Sequence, residues 1–97
     1  MRSVQLLLSG RVQGVGYRAW CERTATTAGL VGFCRNLVDG RVEAFAQGDD
    51  GDVAAFIAAC RRGPPHAVVG DIVVVDRPPR ALRRFDAVAS ADAPDVG

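Results

Sequence analysis

The sequence contains no lysine, one histidine and one tryptophan, and its charges nearly balance. All 12 basic side chains are arginine, against 11 acidic ones, which gives a formal net charge of +1. A charge this close to zero excludes a general electrostatic attraction to polyanions such as nucleic acids. The absence of lysine also excludes the nucleotide-binding P-loop, whose pattern requires one.

Cysteine is also scarce, with only Cys21, Cys34 and Cys60. This odd number, without any Cys-x-x-Cys spacing, argues against a disulfide framework or a zinc site and fits a reducing cytosol. Each cysteine has apolar or helical neighbours, which predicts buried thiols. A cysteine nucleophile would need a nearby histidine, but His66 stands in a proline-rich predicted loop. We therefore expect no cysteine catalysis, no metal site and no cofactor.

Long apolar runs are absent as well. The run at residues 4–8 is too short for a secretory signal, and no run approaches the ~18 residues of a membrane span. Hydrophobic residues at 48% and charged residues at 24% are typical of a globular domain with one core. We expect a cytoplasmic monomer, with one domain over residues 1–90 and a flexible tail over 91–97.

The order of apolar and turn-forming segments predicts a β-α-β-β-α-β fold. The predicted strands are residues 4–9, 31–38, 41–47 and 68–75, with an optional fifth at 82–88. The predicted helices are residues 17–28 and about 50–62, and Asp39-Gly40 predicts a tight hairpin turn. Short connections and right-handed crossovers convert this order into an α+β, ferredoxin-like two-layer sandwich, with two helices on one face of an antiparallel sheet.

The segment at residues 10–16 (GRVQGVG) joins the first strand to the first helix. Its glycines allow positive φ and close approach of a ligand, and the helix start supplies free N–H groups and partial positive charge. With Arg18 added, this arrangement is typical of an oxyanion site. The alternative is a plain turn, with Arg18 paired to Glu22 one helical turn later. The dinucleotide pattern does not fit, because Ala19 replaces its third glycine.

Two motifs resemble the signatures of the acylphosphatase family. Residues 10–18 (GRVQGVGYR) are similar to the first signature, G-x-V-Q-G-V-x-[FY]-R. Residues 32–36 (GFCRN) and 39–43 (DGRVE) are similar to the second, in the right order and one helix later. The resemblance implies a metal-free hydrolase that converts an acyl phosphate into a carboxylate and inorganic phosphate.

The resemblance also assigns the site residues. It implies that Arg18 binds the substrate phosphate and that Asn36 positions the attacking water. It also implies that the backbone groups of five residues form a cradle that binds the phosphate, namely Gln13, Gly14, Val15, Gly16 and Tyr17. Without the motif, Asn36 would be an ordinary polar residue near a hairpin. The sequence departs from the family at Cys34, where valine or alanine is usual, and in residues 83–88, which lack the usual aromatic ending.

Two other functions are compatible with the fold. RNA-recognition domains stack bases on aromatic residues of their central strands, but residues 4–9 contain none and the third strand has only Phe45. An acylphosphatase-like domain can also serve a longer carbamoyl-transferring protein, but such proteins carry zinc-type cysteine motifs that this sequence lacks. The sequence therefore favours a free-standing hydrolase. It does not identify the acyl group, since acetyl, carbamoyl and 1,3-bisphosphoglyceroyl phosphates all belong to this class.

Overall fold

The computed structural model describes residues 1–92 and confirms the predicted α+β sandwich. Its five strands are β1 (Arg2–Arg11), β2 (Val31–Asn36), β3 (Val42–Gly48), β4 (Val68–Asp76) and β5 (Phe85–Ala87). Its two helices are α1 (Tyr17–Thr27) and α2 (Asp50–Arg62). The strands form one sheet in the order β4-β1-β3-β2-β5. Neither helix is long and apolar enough to cross a membrane.

Both helices cover the same face of the sheet. Alternate residues of β1, namely Val4, Leu6 and Leu8, point towards them and are fully buried. The helices contribute an apolar stripe each, formed by Tyr17, Cys21 and Ala25 in α1 and by Val53, Phe56, Ile57 and Cys60 in α2. All three cysteines are free and buried, as predicted.

The sheet is antiparallel over four strands and parallel at one edge. β1 pairs antiparallel with β3 and β4, and β3 pairs antiparallel with β2. The optional fifth strand is present, but it runs parallel to β2, which corrects the expectation of a wholly antiparallel sheet. The physical reason lies in the path of the chain, because β4 and β5 are at opposite edges of the sheet. After β4 the chain crosses to the other edge and then runs in the direction opposite to β4, which is the direction of β2.

We call residues 77–84, which make this crossing, the strap. The Arg77 amide donates to the Ser3 carbonyl oxygen at 3.0 Å, which fixes the start of the strap to β1. Over β3, the buried Gln47 side chain accepts from the Arg80 amide at 2.8 Å and donates to the Arg80 carbonyl oxygen at 3.0 Å. These bonds hold the strap to the sheet, and within the strap the Leu82 amide donates to the Arg80 carbonyl oxygen at 3.0 Å.

The strap also covers two aromatic rings on the face opposite the helices. Phe33 of β2 and Phe45 of β3 are stacked with their centroids 5.8 Å apart. The Arg80 guanidinium lies 5.3 Å and 5.4 Å from the two centroids. Phe45 is only 3% exposed, because strap and sheet enclose it beside a cavity of about 430 Å³.

The β2–β3 hairpin lies where it was predicted but is wider. Residues 37–41 form the loop, in place of a two-residue Asp39-Gly40 turn, and the Leu37 amide donates to the Arg41 carbonyl oxygen at 2.8 Å. Asp39 accepts from the Arg41 amide at 3.1 Å and from Arg41 Nε at 2.9 Å. The hydrogen bond from the Arg41 side chain lowers the pKa of Asp39. Because the loop is wider, β2 ends at Asn36.

Ala91 is the last residue with a described sheet contact. Its amide donates to the Asn36 carbonyl oxygen, and its carbonyl oxygen accepts from the Val38 amide, both at 3.0 Å. Most of the predicted flexible tail, residues 93–97, lies outside the described residues. The domain boundary at residue 90 therefore stays a prediction.

Candidate active site

The connection between β1 and α1 is a turn built on two left-handed glycines. Gly14 has φ of 72° and Gly16 has φ of 77°. A Cβ atom on either residue would meet nothing within 4 Å. Glycine is therefore required here by the backbone conformation and not by crowding. Left-handed residues in a turn allow successive N–H groups to converge on one side, which is the geometry of an anion site.

The amides of this turn are free to bind a ligand. Within residues 1–92, the backbone N–H groups of residues 14–19 donate to no backbone acceptor. The first bond of α1 runs from the Trp20 amide to the Gly16 carbonyl oxygen at 3.1 Å. No acidic residue lies in the first turn of α1, so the partial positive charge of that helix end is not compensated.

Arg18 lines the same cavity as this turn, and its guanidinium is held by a residue near the C-terminal end of the chain. Its Nη1 donates to the Val88 carbonyl oxygen at 3.1 Å. Among the described residues it takes part in no ion pair, so the Arg18–Glu22 pair considered in the plain-turn alternative is not formed. Glu22 instead accepts from the Ala87 amide at 3.3 Å. Residues 87 and 88 thus hold the side chains of both Arg18 and Glu22.

Asn36 faces the same space from the end of β2. Its backbone pairs with Val42 and with Ala91, whereas its half-buried side chain makes no hydrogen bond to the described residues. The shared cavity has a volume of about 350 Å³. Its walls are Val12, Gly14, Gly16, Tyr17, Arg18, Ala19, Glu22, Asn36 and Ala87. We call this space the cradle.

Two residues assigned to the cradle by resemblance, Gln13 and Val15, have side chains that contact other parts of the fold rather than the cavity. Gln13 Nε2 donates to the carbonyl oxygens of Leu37 at 2.8 Å and Arg41 at 2.9 Å, which ties the turn to the β2–β3 loop. The Val15 side chain packs against the core. Neither residue lines the cavity, so only their backbone groups are left for a ligand.

Tyr17 also combines a place in the cradle wall with a side chain that contacts the core. It lines the cradle, but its ring is 2% exposed and its hydroxyl donates to the Cys60 carbonyl oxygen at 2.7 Å. Burial, followed by the neighbouring Cys60, raises the pKa of Tyr17 far above its ordinary value. Hydrogen bonds with Cys34 and Cys60, together with burial, also raise the pKa of Cys21. At neutral pH neither Tyr17 nor Cys21 therefore supplies a base or an anionic nucleophile.

Four residues of the cradle were not assigned to the site from the sequence, namely Val12, Ala19, Glu22 and Ala87. Glu22 was considered only as a partner of Arg18, although its position one helical turn later places it on the same face of α1. Ala87 belongs to a strand of three residues, which is too short for a recognisable pattern. Residues 1–92 contain no group of three or more His, Cys, Asp or Glu side chains placed to hold a metal ion.

Comparison with known proteins gives one consistent result. The acylphosphatase family model matches residues 4–87. An acylphosphatase from Methylococcus capsulatus is 56% identical over 69 residues, which is 71% of this chain and 75% of the relative. The crystal structure of Bacillus subtilis acylphosphatase superposes with a TM-score of 0.88 at 36% identity, over 91% of this chain and 99% of the other.

The same fold also occurs inside a longer protein. Full-length HypF, in its phosphate- and nucleotide-bound form, matches 99% of this chain with 12% of its own length, at 28% identity and a TM-score of 0.88. The family model nevertheless spans most of the chain, and the relative from Methylococcus capsulatus is well above 30% identical. The predicted family and hydrolase class are confirmed, and the chain belongs to the acylphosphatase family.

Proposed function

We propose that this chain hydrolyses the carboxyl–phosphate bond of an acyl phosphate, with the phosphate bound by residues 13–18 and the attacking water positioned by Asn36. One observation carries the proposal. The turn and the first residues of α1, whose amides donate to no backbone acceptor within residues 1–92, line a single cavity together with Arg18 and Asn36. Nothing in such a site requires a metal or an organic cofactor.

Phosphate binding follows from the donors of the cradle. A phosphoryl group presents several charged oxygens, and a ring of N–H groups at a helix start meets them without reorganisation. Arg18 adds a planar fork of donors suited to two oxygens at once. The Val88 carbonyl oxygen occupies one nitrogen of this fork, which orients the guanidinium and leaves its other donors for the substrate.

The reaction proceeds by attack of water on phosphorus. The amide oxygen of Asn36 accepts a hydrogen bond from the water and directs its lone pair at phosphorus. As the new P–O bond forms, the bond from phosphorus to the acyl oxygen breaks, and the carboxylate leaves with the electron pair. A phosphate oxygen of the substrate takes the proton from the water. Because a carboxylate is a good leaving group, positioning and charge stabilisation are the main requirements, and no general acid is needed.

The test is release of carboxylate and inorganic phosphate from acetyl phosphate by the purified protein with a chelator present. We expect turnover that the chelator does not change. Turnover that appears only on addition of Mg²⁺ would contradict the metal-free mechanism. Binding of phosphate without any turnover would instead indicate a binding module.

We further propose that the protein acts on this small molecule as a cytoplasmic monomer, without nucleic acid or membrane partners. Size-exclusion chromatography would test the oligomeric state, and cell fractionation would test the location.

A further inference from the structure

The cradle contains one carboxylate whose charge the proposed mechanism does not use. Glu22 lines the cavity together with Arg18 and is half-buried. Its only recorded hydrogen bond is from the neutral Ala87 amide at 3.3 Å. Within residues 1–92 it belongs to no ion pair. A negative charge without a cationic partner thus forms part of the wall of a site that we propose to bind an anion.

The position of Glu22 separates it from the phosphate itself. The free amides that would hold the phosphate belong to the turn and to the first residues of α1. A helix rises about 1.5 Å per residue, so Glu22 lies about 4.5 Å further along α1 than Ala19, the last residue with a free amide. An acyl group attached to a phosphate held by these amides would occupy the rest of the cavity, which Glu22 also lines. Apart from Arg18, which we assign to the phosphate, the other residues of the wall are uncharged.

We propose that Glu22 determines which acyl groups the cradle accepts. Its charge disfavours acyl phosphates whose acyl group carries a carboxylate or a second phosphate, and it favours small acyl groups that are uncharged or cationic. This inference rests on the proposed function and narrows its substrate class. The cause is repulsion between like charges, which persists at a half-buried position because solvent screens it only in part.

A second role of Glu22 must be separated from this one. Its hydrogen bond to the Ala87 amide fastens β5 beside the cradle, and loss of that bond would affect every substrate. Glu22→Gln keeps the shape of the side chain and an oxygen that accepts the same bond, but it removes the charge. Asp52→Asn is the matched control, because Asp52 is an exposed acid in α2 outside the walls of the cradle.

The experiment compares acetyl phosphate with succinyl phosphate, which has the same scissile bond and an additional carboxylate. We measure kcat/KM for both substrates at low salt in the unmodified protein, in Glu22→Gln and in Asp52→Asn. Glu22→Gln should lower the preference for acetyl phosphate about three- to ten-fold, the size expected for one charge several ångströms away. Most of the change should come from a lower KM for succinyl phosphate. Asp52→Asn should leave the preference as it was, and high salt should reduce the difference between Glu22→Gln and the unmodified protein.

Two results would overturn the inference. The preference could be the same in Glu22→Gln as in the unmodified protein, or both substrates could gain or lose by the same factor. Either result would mean that Glu22 only holds β5 in place, through its hydrogen bond with the Ala87 amide. If the unmodified protein hydrolysed neither substrate, the proposed function itself would fail, and that outcome differs from hydrolysis with an unaltered preference.

Discussion

Within residues 1–92, Arg18 is the only cationic side chain that lines the cradle. We predict that Arg18→Ala weakens binding of inorganic phosphate and lowers the turnover of acetyl phosphate by about 10²–10³-fold or more, because the charge at the phosphoryl oxygens loses its strongest donor. Arg23→Ala is the control, since Arg23 is an exposed arginine of the same helix outside the cradle. Calorimetric phosphate titration and steady-state kinetics measure the two effects. Similar losses in both variants would contradict a specific role for Arg18.

Substitution of Asn36 should affect turnover more than phosphate binding, because its proposed role concerns the attacking water. We predict that Asn36→Ala lowers kcat by about 10²–10³-fold, the cost of removing a positioned polar group from a reacting centre. The affinity for inorganic phosphate should change much less, since the amides and Arg18 remain. Circular dichroism would establish that the variant folds. Unaltered turnover in a folded Asn36→Ala protein would show that the assigned role is wrong.

The motif directed attention to Arg18 and Asn36, but it did not show what other residues of the loop do. The preference of glycine for positive φ could be predicted at Gly14 and Gly16, because it depends on local backbone alone. The bonds of Gln13 could not be predicted, since they go to carbonyl oxygens 24 and 28 residues away. The charge of Glu22 was visible, but its place in the cavity wall depends on where β5 packs.

Among the elements, β2 contains a glycine that close approach of backbones makes necessary. A Cβ atom on Gly32 would lie 1.8 Å from the Phe45 carbonyl oxygen and 2.8 Å from its carbon. We predict that Gly32→Ala destabilises the fold by about 2–4 kcal/mol, since β2 and β3 must move apart. Gly51→Ala, in the exposed first turn of α2, should instead stabilise by about 0.5–1 kcal/mol. Urea unfolding measures both changes, and a neutral Gly32→Ala would refute the steric argument.

Elements with a strong local pattern were predictable, and those placed by distant contacts were not. The helices and the first four strands follow from apolar periodicity, and their order gives the sandwich. The direction of β5 follows from the path of the strap. That path depends on hydrogen bonds between the Gln47 side chain in β3 and the backbone of Arg80. The hairpin was predicted too tight, because the Leu37 amide bonds to the Arg41 carbonyl oxygen and leaves three residues between them, and Gln13 binds the carbonyl oxygens of both residues.

In the whole molecule, the cradle depends on segments that are far apart in the chain. The start of α1 supplies the donors, the end of β2 supplies Asn36, and the residues after the strap supply the support for Arg18. Sheet pairing of β5 with β2 brings the last of these segments into place. The catalytic arrangement we propose is therefore coupled to global folding, and conditions that unfold the sheet should abolish it as a unit.

Tyr17, the only tyrosine of the chain, links this global stability to pH. Its pKa in the folded state is raised above the ordinary value of 10.0, and that of Cys21 is raised above 9.0. Both groups stay protonated in the folded protein at a pH where the unfolded chain releases the protons. Their contribution to stability is therefore complete below about pH 9 and decreases as pH rises. Each group should lower the unfolding free energy by up to about 1.4 kcal/mol per pH unit above its unfolded pKa.

Tyr17→Phe separates the tyrosine from the thiol. At pH 7 we predict a loss of about 1–2 kcal/mol, because the Cys60 carbonyl oxygen loses its 2.7 Å donor. Above pH 10 the stability of the variant should fall less steeply than that of the unmodified protein, so that the two curves converge. Denaturant unfolding from pH 7 to 11 under reducing conditions measures this, and the phenolate absorbance of the unmodified protein should appear only as it unfolds. Parallel stability curves, or a phenolate in the folded protein near pH 10, would mean that burial does not protect Tyr17 from ionisation.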